Sequence, residues 1–127
     1  MIHEFLVKRI QQVSALRGQV WPVGAPLDDA TSPFCVYTLG VEQITRDLCG
    51  EPLLYTMEVR VDLLGDDYDQ LQEITPEVEK ALAVINEEHA EIYIYSSSVT
   101  RHGEDGWVEQ LDMMAKTLYC TIVYWRE

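Results

Sequence analysis

Positive charge is scarce in this chain. Its 127 residues include 9 Lys plus Arg against 22 Asp plus Glu, a net charge of −13 with histidine neutral. Binding nucleic acid by phosphate neutralisation needs clustered cations, so this balance argues against it. Cysteine is scarce as well. Cys35, Cys49 and Cys120 cannot all pair within one chain, and no Cys-x-x-Cys spacing offers a zinc or thiol-redox motif. No apolar run approaches the ~20 residues of a membrane-spanning helix. Charges interrupt the segment Met1–Arg9, which leaves no signal-peptide core. The expectation is a soluble product made in the cytoplasm, with no membrane partner. Internal repeats and low-complexity tracts are missing too. Apolar residues are plentiful: 47% hydrophobic against 24% charged is ordinary globular composition and excludes disorder along most of the chain. The length suits one domain, 1–127, that buries about two thirds of its unfolded surface without a metal or disulfide staple.

Ile2, Phe5, Leu6, Ile10, Val13 and Leu16 recur at helical spacing and predict an amphipathic helix that stops at Gly18. Val20 to Pro26 holds two prolines and a glycine and reads as extended chain. Phe34–Leu39 is rich in aromatic and β-branched residues and predicts a strand continuing to about Thr45. A turn over Arg46–Pro52 follows. Tyr55, Met57, Val59, Val61 and Leu63 alternate with Thr56, Glu58, Arg60 and Asp62, a strand with one buried and one wet face. Asp66-Asp67-Tyr68-Asp69 opens a second helix with acids where its N-terminus favours them. The apolar stripe Leu71, Ile74, Val78, Ala81, Leu82 and Ile85 carries that helix onward, and Pro76 predicts a kink or a restart capped by Thr75. Ile92–Thr100 and Met114–Trp125 read as two more strands, the last apolar on both faces and therefore central or covered. The expected fold class is α+β: a four-stranded, mostly antiparallel sheet with two helices on one face, in the order α-β-β-α-β-β.

Catalytic chemistry finds little footing. His3, His89 and His102 are the only histidines, and none neighbours a serine or cysteine in a nucleophile motif. No His/Cys cluster has zinc spacing, and Gly103 and Gly106 do not make a phosphate loop. The Asp66–Asp69 run lacks the loop length and distal Glu of a calcium hand. The expectation is no catalytic residue, no metal and no cofactor. Charge is unevenly placed: residues 66–127 carry 14 acids against 4 bases. The second helix supplies much of that excess through Asp66, Asp69, Glu73 and Glu77. Such a face is either a solvated surface or a wall that repels phosphates. Two turn segments, Leu48-Cys49 and Trp107-Val108, place apolar residues where a monomer need not display them, which suits partner contacts.

The segment Val20-Trp21-Pro22, Ala25-Pro26 and Ser32-Pro33-Phe34-Cys35-Val36-Tyr37, followed by the alternating strand Tyr55–Leu63 and an acid-started helix, resembles the small tail-terminator or tail-completion proteins of long-tailed bacteriophages and prophages. The closing apolar-aromatic strand Tyr119–Trp125 fits as well, so the likeness spans nearly the whole chain. The resemblance implies a non-enzymatic structural protein of the virion tail, assembled in the bacterial cytoplasm. It implies a homo-oligomeric ring, typically of six subunits, that ends tube polymerisation and meets tail-tube and head-connector proteins. DNA would pass the lumen without being specifically bound, with Asp66, Asp69, Glu73 and Glu77 as lumen-facing acids. The extended segment, with Trp21 and Pro22, joins Leu48, Cys49, Trp107 and Val108 as candidate interface. Three alternatives stand beside it. One is a head-side neck or completion protein. Another is a cellular α+β ligand- or protein-binding module, which needs a deep apolar pocket. The third is a hydrolase using dispersed carboxylates or His102, which needs a cleft of perturbed titratable groups.

Overall fold

The computed structural model describes residues 2–126. Helix α1 (Ile2–Ile10) buries Ile2, Phe5, Leu6 and Ile10 on one stripe. The stripe continues through Val13 and Leu16, but as a 3-10 turn at Ser14–Leu16 rather than as one unbroken helix. The Val13 amide donates to the Ile10 carbonyl at 3.0 Å, a three-residue spacing that tightens the helix end. Gly18 then takes a left-handed φ of +75° and turns the chain.

Strands β1 (Val20–Pro22), β2 (Phe34–Arg46) and β3 (Pro52–Gly65) follow. β1 runs parallel to β2, with Trp21 opposite Val36, and β2 and β3 form a long antiparallel hairpin. Helix α2 (Tyr68–Leu82) starts as its acids dictate: the Asp67 carboxylate accepts from the amides of Asp69 at 3.0 Å and Gln70 at 3.3 Å. The helix runs through Pro76 as one element, without the expected restart. Thr75 is not a cap; its hydroxyl donates to the Leu71 carbonyl at 2.7 Å inside the helix.

The four-stranded expectation is overturned. The sheet has seven strands in the order β1-β2-β3-β7-β5-β4, with β6 on β7. The extra strands are short ones beside long partners. β4 (Val84–His89) lies where the helical stripe was expected to continue to Ile85. The chain leaves the helix at Ala83 and pairs with β5 (Ile92–His102), Val84 opposite Ser97. Its adjacent Val84 and Ile85 are β-branched and suit a strand better than a helix end. β6 (Gly106–Val108) was expected as turn; it pairs with the start of β7 (Met113–Arg126). The order is therefore α-β-β-β-α-β-β-β-β, and the sheet is mixed because β1 is parallel.

β7 is central, between β3 and β5, as its two-sided apolarity requires. Tyr55, Val59, Val61 and Leu63 of β3 and Leu118, Cys120, Ile122 and Tyr124 of β7 join the stripes of α1 and α2 in one buried cluster. The alternate positions Glu58, Arg60, Tyr119 and Thr121 lie on the other face, where Arg101 sits 3.7 Å over the Tyr119 ring and pairs with Glu58 at 3.2 Å.

Candidate functional site

The candidate interface residues fall at three separate places. Trp21 and Pro22 lie on the short edge strand β1. The Trp21 indole N–H is buried without a hydrogen-bond partner among the described residues. Pro22 is exposed and lines an apolar groove of about 400 Å³ with His3, Val23, Tyr37 and Leu39.

Leu48 and Cys49 cap the β2–β3 hairpin. The Asp47 carboxylate accepts from the amides of Cys49 at 2.8 Å and Glu51 at 2.9 Å, and Arg46 donates to the Gly50 carbonyl at 2.9 Å. Gly50, at φ +87°, supplies the left-handed residue that the turn needs. The turn is internally braced, and it holds Leu48 fully outside at 108% exposure. Trp107 and Val108 lie on β6, Trp107 opposite Met114 and 53% exposed, Val108 half-buried. They sit toward the opposite end of the sheet from the hairpin tip, so no single subunit brings the three places together.

Between groove and tip, the hairpin carries exposed apolar residues that the sequence reading missed. Leu39, Ile44 and Leu53 share the face of Val59 and Tyr55, which is buried elsewhere, and Val41 stands 84% exposed in the bulge between Leu39 and Glu42. The signal was strand length: 13 and 14 residues far exceed the ~5–6 of an average strand.

The root of this hairpin is clamped. Glu42 receives both Arg126 Nε at 3.0 Å and Arg126 Nη2 at 2.8 Å, and the Tyr124 hydroxyl donates to it as well. The Arg126 hydrogen bond comes first in holding the Glu42 carboxyl below its usual range. Arg126 also lies 4.5 Å from the Tyr55 ring centre. A second cluster ties the β5–β6 loop to α2. Tyr68 donates to Asp105, Gln72 Nε2 donates to Tyr68 at 2.9 Å, and Lys116 reaches Asp105 at 3.3 Å. The Tyr68 hydroxyl, then Lys116, holds the Asp105 carboxyl low. His102, expected in a turn, ends β5 and meets Glu79 at 2.5 Å.

Asp66, Asp69, Glu73 and Glu77 are all exposed. Asp69, Glu73 and Glu77 fall at four-residue spacing on one side of α2. Asp66 instead accepts from the Ser32 hydroxyl at 2.9 Å and helps join the β1–β2 loop to the start of α2. Glu77 also borders a shallow groove with Arg9, Gln12, Ser14 and Lys80. Cys35 and Cys120 are buried and Cys49 exposed. Burial pushes the Cys35 thiol up, with the Asp62 charge adding to it. Among the described residues no three His, Cys, Asp or Glu side chains are grouped to hold a metal, and no helix is long and apolar enough to cross a membrane.

The arrangement offers edges, grooves and knobs rather than converging reactive groups. It defines a mixed α/β protein with one helix-covered sheet and a projecting hairpin. In solved structures this fold occurs in a chain described as "Virion of native gene transfer agent (GTA) particle". The two align with a TM-score of 0.66 and 16% sequence identity, over 94% of this chain and 90% of that one. At that identity the likeness concerns the fold. No protein-family profile matches the sequence, and no curated protein matches it.

Proposed function

We propose that this chain is a non-enzymatic structural component of a phage-like virion, and within it a tail terminator. In this role copies assemble into a ring, typically six, at the head-proximal end of the tail tube, where the ring stops tube polymerisation and joins the head. The observation that carries the reading is the fold shared, nearly end to end in both chains, with a chain of a gene transfer agent virion. The Trp21-Pro22 and Pro33-Phe34-Cys35-Val36-Tyr37 resemblance to tail terminators supports the finer role. The exposed apolar residues on edge, hairpin and β6 support self-association, because a solitary chain gains nothing by presenting them to water. The acid excess gives DNA a wall to which it does not adhere. Tail-tube and head-connector proteins are the neighbours above and below, and the site of action is the virion tail.

Deleting the gene from a particle-producing strain tests this. Electron microscopy is expected to show tails of uncontrolled length lacking heads. Tails of normal length beside heads that lose their DNA would move the protein to the head side of the joint. Unaltered particles would remove the virion role altogether.

A further inference from the structure

We infer that the outer half of the β2–β3 hairpin is an arm that inserts into the groove between α1 and β1 of a second copy of this chain, making a head-to-tail joint. This rests on the self-assembling reading above and names its contact surfaces. The arm runs from Gly40 to Leu54. It projects Val41, Ile44, Leu48 and Leu53 with nothing in its own chain to cover them. The groove, lined by His3, Pro22, Val23, Tyr37 and Leu39, lies at the arm's base. From Leu39 to the tip at Leu48 the strand extends roughly 25–30 Å at ~3.3 Å per residue, so an arm cannot fold back into its own groove. A second copy brings the two surfaces together.

Charge favours that occupant. Residues 1–27, which build α1 and β1, hold Glu4 against Lys8, Arg9 and Arg17, a net +2. The other 100 residues hold 21 acids against 6 bases, a net −15, which completes the −13 of the chain. The groove's own lining holds no carboxylate. The arm that would enter it carries Asp47 and Glu51 against Arg46, Glu42 being held by Arg126 of its own chain. Two copies of so acidic a protein repel in most orientations, and this docking sets the arm's acids against a lining that has none. Beyond Tyr37 the outer edge of β2 also has no strand beside it among the described residues, which leaves backbone groups open to the neighbour. Arm and groove are different patches, so the contact is heterologous and closes into a ring when its rotation permits.

The exposed Cys49 at the arm tip carries the test. The full-length protein is labelled there with a benzophenone maleimide, irradiated, digested with trypsin and mapped by mass spectrometry. The expected product joins the tip peptide, residues 47–60, to residues 18–46 of another copy, the peptide holding Pro22, Val23, Tyr37 and Leu39. Leu48→Asp and Val23→Asp are surface changes; each is expected to weaken self-association at least tenfold by sedimentation, with an unchanged circular-dichroism melt. Mixed together, the two variants retain one intact arm and one intact groove, so they should form 1:1 dimers and nothing larger. Wild-type rings whose crosslinks fall elsewhere, or whose assembly survives both substitutions, overturn the joint and leave the ring. A wild type that stays single at every concentration overturns both.

Discussion

Glu42 shows how one side chain fixes the posture of an element. It reaches across β3, the strand between its own β2 and β7, to grip Arg126 and the Tyr124 hydroxyl. Its carboxyl titrates below the usual 4.5 because the charged form is the one that these donors hold. A folded-state value below the unfolded one means that the contribution is present above the ordinary carboxylate range and is lost as pH falls through the lowered value. Asp105, held low by Tyr68 and Lys116, acts in the same direction. Glu42→Gln should therefore lower stability at pH 7 and flatten the acid limb of the stability curve below about pH 4.5. Urea titrations of both proteins at pH 7 and in mild acid would show it. An acid limb identical to that of the wild type would mean that the clamp is not formed in solution.

At the scale of elements, Pro76 gives the clearest prediction. It lies within a continuous α2, where it cannot donate to the Gln72 carbonyl and its ring crowds the preceding turn. Pro76→Ala restores the donor and relieves the crowding. That should outweigh the ~0.4–1 kcal/mol that a proline contributes by restricting the unfolded chain. The expected gain is about 1 kcal/mol, or roughly 4 °C in Tm by calorimetry. The same helix shows where sequence reading stops. Its start was legible because Asp67 is an N-cap in both chemistry and position. Its end was not, because Ile85 keeps the helical phase of Leu71, Ile74, Val78 and Leu82. Pairing with β5 is what settles Val84 and Ile85 in a strand, and the partner is invisible locally. β1 and β6 escaped for a related reason: three residues containing Pro22 or Gly106 have no strand character until a long neighbour supplies hydrogen bonds. The long strands and both helices declared themselves through sustained periodicity. Of the candidate contact residues, Leu48 and Cys49 were legible as turn residues. Val41, Ile44 and Leu53 were not, because nothing local shows which part of a long hairpin outruns its cover. They are exposed because the helices do not extend far enough to cover them.

At the scale of the whole molecule, a net charge of −13 should keep duplex DNA away. Electrophoretic mobility assays at about 0.15 M salt are expected to show no complex. The double substitution Glu73→Lys and Glu77→Lys on α2 should raise DNA retention if those carboxylates supply the repulsion. Micromolar binding by the unaltered protein would contradict the charge reading. The sheet order carries a further consequence, for synthesis. β3 and β5 are joined as strands of the sheet only through β7, which the ribosome makes after both of them. Until β7 emerges, the nascent chain holds two ribbons with no seam between them, each exposing the backbone edge that β7 later pairs. The finishing stitch is thus the last thread drawn, and a polypeptide broken off before Met113 has no way to close.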